Sequence, residues 1–579
     1  MITTANILNL FDRTIGYGTV HLQATGNRIA SVENLGPERP NEPYILPGFV
    51  DAHVHIESSL LTPAQFARLA VVHGTVSTVS DPHEIGNVLG IEGVEYMIRD
   101  GRRVPFKFCF GAPSCVPATP FETAGAEITG ADVEKLLAMP EIGYLAEVMN
   151  FPGVLNRDPD IIHKIALARA AGKPVDGHAP GLRGIDAQRY IDAGISTDHE
   201  CFTLNEARDK AQRGMHILIR EGSAARNFDA LIPVIAEFPA QTMFCSDDKH
   251  PDTLVLGHIN QLVMRAVAAG YDRWDVLRAA CLNPVLHYTL PVGLLHENDP
   301  ADFIVVNNLT DFQVQQTVIN GAIVAEAGQT RIPDLRSEWV NKFDCEPASS
   351  TDGWPLPFTL SPTSFGVGDE QEVKIRVIEA LDGQLITNEL HLTPTLNQHR
   401  QPIADPTRDM LKIVVVNRYH PAPPAVAFIK NFGLKHGAIA SSVAHDSHNI
   451  IAVGCDDNSL SRAINAVIEA RGGLCAVGSI NNEQLSMTNK PMPDNWSLIT
   501  DDCTLIKLPI AGLMTDADGY AVASAYSALD RFVKTELGSS LAAPFMTLSF
   551  MALLVIPALK LSDRGLFDGQ RFAFSPLTV

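Results

Sequence analysis

The feature that most constrains this chain is an alternation of short β-rich runs with helical segments between about residues 45 and 290. Eight strands that alternate with helices over this length favour a closed parallel (β/α)8 TIM-like barrel, and a doubly wound open sheet is the alternative. Most runs end in His, Asp or Glu, which supports the barrel because barrel enzymes carry their chemistry at that face. The eight runs are ILPGFVDAHVHIE, GTVSTVSDPHE, PFKFCFGAPS, IGYLAEVMN, KPVDGHAP, ISTDHE, GMHILIREGS and QTMFCSDDK.

Both flanks of the barrel segment are predicted to be rich in strands. Residues 1–44 and 292–335 each show short strands with turns, and Asn320-Gly321 is a hairpin signal. We expect these flanks to form one composite β-sandwich-like small domain beside a catalytic barrel at 45–291. A Pro/Ser-rich linker is predicted at 333–357, and residues 346–579 are predicted to form an additional α+β C-terminal domain. The predicted fold class is therefore α/β.

Composition excludes several classes of protein. The 579 residues carry a formal net charge of −22, which repels phosphate backbones and anionic membranes, so neither nucleic acid nor membrane is an expected partner. The nine cysteines are scattered without a C-x-x-C pair, which fits a reducing cytosol rather than a disulfide framework. The N-terminus lacks a signal-peptide pattern, and the apolar stretch from Phe550 to Leu561 is too short to span a bilayer. A cytoplasmic location is expected.

A His-x-His pair lies near the end of the first run. His53 and His55 alternate along a strand and therefore point to the same face, which is the barrel interior near its catalytic end. Two neutral imidazoles so placed can bind one metal ion, although a single H-x-H is often incidental. Later runs end in four further residues of ligand type, and six such residues at matching strand ends are not expected by chance. The four are Glu147, His178, His199 and Asp247.

Such a set predicts a binuclear metal site. Two pairs of ligands and a bridging carboxylate would hold two divalent ions with a water between them. That water would lose a proton near neutral pH and become a nucleophile. Taken singly, each residue could instead be a hydrogen-bonded core histidine or a capping carboxylate. Because the ligands are all nitrogen and oxygen, zinc, manganese and iron are each chemically admissible.

Several motifs resemble the adenine deaminases of the amidohydrolase superfamily, and the resemblance covers almost the whole chain. His-x-His marks the superfamily, whereas DPHEIGNVLG and HDSHNIIAVG are specific to this branch. The resemblance implies deamination of adenine to hypoxanthine and ammonia, in purine salvage, by a hydroxide held at a binuclear metal centre. Other matching segments are LPGFVDAHVHIESS, PSCVPATPFET, LAEVMNFPGVLN, DGHAPGL, STDHE, SDDKHP, KHGAIASSVAHDSHNIIAVG and VIPALKLSDRGLFD.

The resemblance also implies how the metal ions are bound. His53 and His55 would bind one ion, and His178 and His199 would bind the other. Glu147 would bridge the two ions, because no lysine stands in LAEVMN to be carboxylated as in many relatives. The implied cofactor is a pair of divalent ions, with Mn²⁺ preferred and Fe²⁺ or Zn²⁺ as alternatives.

Proton transfer and base binding require further side chains. By the same resemblance Asp247 would bind metal, accept the proton of the hydroxide and deliver it to the departing amine. Ring nitrogen N1 must be protonated or strongly hydrogen-bonded as C6 becomes tetrahedral, and Glu200 and Glu84 are the two candidates for this task. His83 is a candidate contact to a metal ligand or to substrate. Candidate substrate-binding residues, each of which could instead serve a turn, are Asp248, Ser114 and Cys115.

A histidine-rich cluster in the C-terminal region could reach over the barrel mouth as a lid, or it could be purely structural. Its members are His436, His445, Asp446 and His448. The expected partner is a small purine base, and the size of the chain and its additional domain lead us to expect a homodimer.

Two other functions stay open at this point. One is an amidohydrolase that acts on a cyclic amide or an N-acetyl substrate with the same metals. The other is a non-catalytic scaffold on the same fold, which is disfavoured because the set of ligands is complete. The H-x-E of His55 to Glu57 superficially matches the nucleic-acid cytidine deaminases, but the P-C-x-x-C that their zinc site needs is missing from the sequence.

Overall fold

The structure is a computed structural model that describes residues 2–347, 373–478, 496–499 and 503–579. The chain opens with four strands, of which β1, β2 and β3 pair antiparallel and β4 lies parallel to β1. Their bounds are β1 Ile2–Asn9, β2 Thr14–Leu22, β3 Ile29–Pro37 and β4 Tyr44–Leu46. Residues 348–357 of the predicted linker lie outside the described residues.

Eight parallel strands, β5 to β12, form the barrel that the alternating runs predict. β5 to β9 form one ladder and β10 to β12 another. The ladders join where Ser196 N donates to Val175 O at 2.9 Å, and where Val54 and Asp247 form a parallel bridge. The barrel prediction is thus confirmed, and the open sheet is wrong. The strands are β5 Phe49–Val54, β6 Thr75–Ser80, β7 Lys107–Ala112, β8 Ile142–Val148, β9 Val175–Gly177, β10 Thr197–Asp198, β11 His216–Arg220 and β12 Thr242–Cys245.

Helices follow the barrel strands and begin at residues that the sequence marks. At one of them the Asp158 side chain accepts hydrogen bonds from the N–H groups of Asp160 and Ile161, and Pro159 takes the first helical position. The helices are α1 Pro63–Ala70, α2 His83–Leu89, α3 Ile91–Gly101, α4 Gly130–Leu137, α5 Phe151–Leu155, α6 Pro159–Ala170, α7 Gly184–Asp192, α8 Leu204–Gln212, α9 Phe228–Leu231, α10 Val234–Glu237, α11 Pro251–Leu254, α12 Ile259–Ala268, α13 Arg273–Leu277 and α14 Asn283–Tyr288.

Asp51 ties the first barrel strand to the last. Its carboxylate accepts from Ser246 N at 2.9 Å and lies 2.7 Å from His258 Nε2. The other ring nitrogen of His258 lies 2.7 Å from Thr75 Oγ1 on β6. All three partners are buried, so this network fixes the ends of β5 and β12 relative to each other, next to the His-x-His pair.

Four strands after the barrel complete the small domain. Asn320 and Gly321 form the predicted hairpin turn, with φ of 47° and 76°, which is typical of a two-residue turn between antiparallel strands. β13 pairs with β4, so strands from both flanks share one sheet in the order β16-β15-β14-β13-β4-β1-β2-β3. The predicted domain boundaries stay predictions. The strands are β13 Phe303–Val306, β14 Val314–Ile319, β15 Ala322–Glu326 and β16 Gln329–Thr330.

The C-terminal region is α+β, as predicted. Its main sheet has the order β18-β17-β22-β21-β24-β23-β25-β27-β26 among the described residues, and α15 packs on it through residues such as Leu460 and Ile464. No described helix is long and apolar enough to cross a membrane. The elements are β17 Ile375–Ala380, β18 Thr387–Leu392, β19 Thr395–Leu396, β20 Pro402–Ile403, β21 Met410–Val416, β22 Ala425–Lys430, β23 Ala438–Ser441, β24 Ile450–Gly454, α15 Asp457–Glu469, β25 Gly473–Val477, β26 Ser497–Ile499, β27 Cys503–Lys507, α16 Gly519–Thr535, α17 Pro544–Phe550, β28 Leu559–Ser562, β29 Gly565–Asp568 and β30 Ala573–Phe574.

Candidate active site

The six residues of ligand type converge at the carboxyl ends of the barrel strands. Those from β5, β8, β9, β10 and β12 lie within their strand or in the two residues after it. None of the six is more than 5% exposed, so their charges and lone pairs face one another rather than solvent. They are His53, His55, Glu147, His178, His199 and Asp247.

Three of these residues form a first ligand group, defined as His53, His55 and Asp247. The two Nε2 atoms are 3.1 Å apart, and Asp247 Oδ1 lies 3.3 Å from His55 Nε2 and 3.7 Å from His53 Nε2. Atoms that bind one ion at 2.0–2.2 Å are roughly 3 Å from each other, so this spacing fits a divalent metal. His55 Nδ1 lies 3.2 Å from Asp81 O, which leaves Nε2 free to face an ion.

Glu147 faces two groups of imidazoles with its two oxygens. Oε1 lies 3.4 Å from His55 Nε2 in the first ligand group. Oε2 lies 2.6 Å from His178 Nδ1 and 3.2 Å from His199 Nε2, which form the second ligand group. A carboxylate with one oxygen toward each group has the geometry that a bridge between two ions requires.

Electrostatics at the site also suit cations. The active-site cavity is lined by six carboxylates, and the fixed positive charge beside them is the buried Arg220. Burial, together with neighbouring His199 and His55, holds the pKa of His53 well below its usual value, so this imidazole is neutral and could bind a cation. Buried carboxylates need compensating charge, and two divalent ions would supply it. The six are Glu84, Glu147, Glu200, Asp247, Asp248 and Asp446.

Arg220, at the end of β11, donates hydrogen bonds to two of the candidate catalytic acids, Glu200 and Asp247. Its guanidinium donates to both oxygens of Glu200, one of them through a very short contact, and to Asp247 Oδ2 at 2.7 Å. Burial alone would raise the pKa of Asp247, but Arg220 and the imidazoles of His55 and His199 hold it well below its usual value. Asp247 also adopts φ of 54°, a conformation that a non-glycine residue takes only when its surroundings impose it.

Glu84, in the first turn of α2, is held by residues from the C-terminal region. Its Oε1 lies 2.9 Å from His445 Nε2, and its Oε2 makes a very short contact with His448 Nε2. Burial opposes charge on both partners of the first pair. Even so, Glu84 and Asp248 hold the pKa of His445 well above its usual value, while His445 and His448 hold the pKa of Glu84 well below its own. The Glu84–His445 pair therefore shares one proton at neutral pH.

The other candidates at the rim also face the cavity. His83 Nδ1 lies 3.2 Å from Asp81 Oδ1, and His83 Nε2 lies 3.7 Å from Asp446 Oδ1. Asp248 Oδ1 accepts from Ser58 Oγ at 2.5 Å and lies 3.4 Å from His445 Nε2. Asp248 and His83 thus have contacts that a base in the cavity would share or replace.

The structure places Ser114 and Cys115 outside the lining of the active-site cavity, and their predicted role in binding substrate stays a prediction. Ser114 Oγ donates to the backbone oxygen of Glu147 at 2.6 Å, and neither residue lines the active-site cavity. The pair instead supports the backbone of β8. His436 lies two residues before β23 and does not line the active-site cavity, whereas His445 does.

The apolar residues with which the C-terminal region closes the cavity were not predicted from the sequence, although His445 and Asp446 were candidates for a lid. Phe550, Leu553 and Leu385 line it together with His445 and Asp446. These residues follow no periodic pattern that points to the barrel, and they lie more than 130 residues after the last barrel strand at Cys245. The HDSHNIIAVG motif is the sequence feature that indicated a contact between the C-terminal region and the barrel mouth.

Lys560 supports two walls of this cavity. Its Nζ donates to Leu385 O at 2.5 Å and to Phe550 O at 2.9 Å, and the side chain is fully buried. Burial lowers the pKa of Lys560 to about 7 from a value near 10.5. This lysine therefore joins β28 to two pocket residues at the cost of burying an ionisable group.

We expect Lys560→Met to change how stability depends on pH. Between about pH 7 and pH 10 the unfolded chain binds more protons at Lys560 than the folded chain, so the wild type gains stability as pH rises. The Tm of the wild type should therefore rise relative to that of Lys560→Met, by roughly 2–4 °C across this window. Thermal denaturation at several pH values measures the difference. A Tm difference that stays constant with pH would contradict the buried, titrating lysine.

Residues 44–324, which contain the barrel, match the sequence profile of the amidohydrolase family. Residues 384–489 and 500–573 match the adenine deaminase C-terminal domain. The chain is 53% identical to an adenine deaminase of Salinibacter ruber, over 98% of this chain and 97% of the relative. It is 49% identical to an adenine deaminase of Methanosarcina mazei, over 93% of each chain. This chain belongs to the adenine deaminase family.

Proposed function

We propose that this chain hydrolyses adenine to hypoxanthine and ammonia. The observation that carries the proposal is the complete ligand set, with Glu147 between two groups of imidazoles, in a chain that belongs to the adenine deaminase family. Water adds to C6 of the base, the C6–N bond breaks, and the amino group leaves as ammonia. The reaction converts one free purine base into another, which is a step of purine salvage.

His53 and His55 would hold one divalent ion, His178 and His199 the other, and Glu147 would face both. A pair of divalent ions, when bound, lowers the pKa of water so that it can act as a nucleophile near neutral pH. We propose Mn²⁺ as the preferred ion. Reconstitution of metal-free protein with Mn²⁺, Fe²⁺ and Zn²⁺, followed by assays of ammonia release, tests this preference.

Asp247 is the residue that moves the proton of the attacking water. Its Oδ2 is occupied by Arg220, whereas Oδ1 faces the two imidazoles of the first ligand group. The carboxylate is ionised before the reaction and can accept a proton at Oδ1. It then delivers this proton to the departing amino nitrogen, so that ammonia rather than an amide anion leaves.

The proton for ring nitrogen N1 comes from the Glu84–His445 pair. Glu84 lines the cavity and shares a proton with His445, whereas both oxygens of Glu200 accept from Arg220. Both oxygens of Glu200 are thus occupied as acceptors by Arg220, whereas Glu84 contacts a histidine that can carry a proton. The contacts of Glu200 suit a role in fixing Arg220, and thereby Asp247.

We expect Glu84→Gln to lower kcat for adenine by about 10²-fold, because the amide cannot relay a proton to N1. Metal content should change little, whereas Tm should fall because the amide no longer compensates the charge of His445. Glu122→Gln is the matched control, since Glu122 is also buried but does not line the active-site cavity. Its kcat should stay near the wild-type value. A Glu84→Gln variant with wild-type kcat would remove Glu84 from the proton path.

The product formed decides the substrate class: ammonia from adenine, a ring-opened ureido acid from a dihydropyrimidine, or acetate from an N-acetylated sugar phosphate. Metal-reconstituted protein is assayed with adenine, a dihydropyrimidine and an N-acetylated sugar phosphate. We expect turnover of adenine alone. Turnover of either other compound with adenine inert would replace the deaminase proposal by an alternative amidohydrolase activity.

We also propose a cytoplasmic homodimer. The nine cysteines are all free thiols in the structure, which suits a reducing compartment. Light scattering of the purified protein measures the oligomeric state. A mass near 62.7 kDa would mean a monomer and would contradict the dimer.

A further inference from the structure

The active-site cavity is closed in this conformation. Its volume is about 20 Å³, which is room for about one water molecule rather than a base. Side chains of the C-terminal region cover it, among them His445, Phe550 and Leu553. An enzyme that acts on a free base must therefore admit the base from a neighbouring space.

A second cavity, which we name the outer chamber, adjoins the active-site cavity. Its volume is about 320 Å³, which lies in the range of roughly 300–1,000 Å³ typical of small-molecule sites. Met149, two residues after Glu147, lines both cavities. Leu385 and Leu553 line the active-site cavity, and their near neighbours Ile386 and Val555 line the outer chamber. The two spaces are thus separated by a thin wall of apolar side chains.

The lining of the outer chamber indicates which compounds it can hold. Three aromatic rings contribute, those of Phe151, Phe202 and Phe572, and none of the lining residues that the structure describes carries a charge. The two polar side chains among the described lining residues are Asn150, whose Oδ1 accepts from Gly153 N at 2.9 Å, and Gln570, whose exposed amide can both donate and accept hydrogen bonds. Phe572 is 42% exposed, which places the chamber's mouth at the protein surface.

We propose that the outer chamber is a binding site for a neutral purine base, which is held there before it passes Met149 into the active-site cavity. This inference rests on the proposed function. Flat heteroaromatic bases stack on aromatic rings, and their edges pair with amide groups. A nucleotide, by contrast, would find no cation for its phosphates among the lining residues. Met149 suits the dividing position because its unbranched side chain changes rotamer readily.

A tryptophan placed in the outer chamber tests the proposal. Ala118 is a half-buried lining residue of the chamber, and Ala422 is a half-buried lining residue of a different cavity, beside His420 and Asp563. Ala118→Trp should lower kcat/KM for adenine by about tenfold or more, because the base must compete with the indole for the chamber. Ala422→Trp is the matched control and should stay within about twofold of wild type.

Binding is measured separately from turnover with hypoxanthine, which the enzyme does not consume. Its addition should change the fluorescence of Ala118→Trp in a saturable manner. The change in the fluorescence of Ala422→Trp should be no larger than the change in the wild type. If Ala118→Trp fails to fold, Gln570→Trp at the exposed mouth takes its place. Metal content and Tm, measured in every variant, identify a variant that has lost its structure.

The outcomes separate this inference from the proposed function. Wild-type protein that releases no ammonia from adenine would overturn the proposed function. Active wild type, together with a folded Ala118→Trp variant that has unchanged kcat/KM and no fluorescence response, would overturn the outer chamber alone. A loss of kcat/KM confined to the chamber variants supports it.

Discussion

His53→Ala is expected to lose one of the two metal ions and nearly all activity, with ammonia release reduced on the order of 10⁴-fold or more. His53 Nε2 lies 3.1 Å from His55 Nε2, and its ring stacks on His199 at 4.1 Å between centroids. Alanine therefore removes a ligand from the first group and opens a space beside the second. Metal analysis after gel filtration, together with the adenine assay, measures both effects.

The matched control for this substitution is His216→Ala. His216 begins β11 and so lies at the end of the barrel opposite the site, where residues serve stability rather than chemistry. Metal content should stay at the wild-type level in this variant. Full retention of two ions by His53→Ala would show that the first ligand group does not bind metal, and the binuclear proposal would then be wrong.

Glu147→Gln should give a metal content between those of His53→Ala and His216→Ala. The amide keeps one oxygen but replaces the other by a donor, so one of the two groups that Glu147 faces loses its acceptor. The variant should bind metal more weakly than wild type without losing the first ligand group. Wild-type metal content and activity would remove Glu147 from the bridging position.

Most of the barrel could be predicted from the sequence, because its signals are local. Alternating strands and helices set the eight strands, and the spacing of His53 and His55 on one strand fixes their common face. The remaining ligand-type residues could be found because parallel strands of a barrel end at one rim. The positions of the six ligand-type residues at one end of the barrel could therefore be predicted from the sequence.

What could not be predicted are contacts between segments distant in the sequence. His448 meets Glu84 although 364 positions separate them, and no periodicity links a C-terminal loop to the first turn of α2. Arg220 could be placed at a strand end, but its choice of Glu200 and Asp247 as partners depends on side-chain packing. The partner of Ser114 could not be predicted for a related reason, because a side chain in a turn can point to the pocket or, as here, to a neighbouring backbone oxygen.

Closure by the C-terminal region has a chemical consequence. The carboxylates and imidazoles of the site lie in a water-poor cavity, where charges interact more strongly than in bulk water. The walls that exclude water are fixed to the barrel by the Glu84 contacts and to each other by Lys560. The same walls that strengthen the proton relay therefore also restrict access of the base.

Asp247→Asn is expected to keep both metal ions and the fold while kcat for adenine falls by about 10³-fold. The asparagine can still place an oxygen toward His55 and can still meet Arg220, so the geometry survives. It cannot accept the proton of the attacking water or return one to the leaving amino group. The substitution thus separates proton transfer from metal binding at a single atom.

Asp176→Asn is the matched control for replacing a buried aspartate by asparagine. Asp176 is a buried aspartate on β9, but both its oxygens accept from the Tyr288 hydroxyl, and burial raises its pKa to about 7. An amide is therefore a close substitute there, and kcat should stay within about threefold of wild type. Steady-state kinetics and metal analysis are run on both variants. If Asp247→Asn keeps wild-type kcat with two ions bound, another group must carry the proton; if it loses metal along with activity, Asp247 acts chiefly as a ligand.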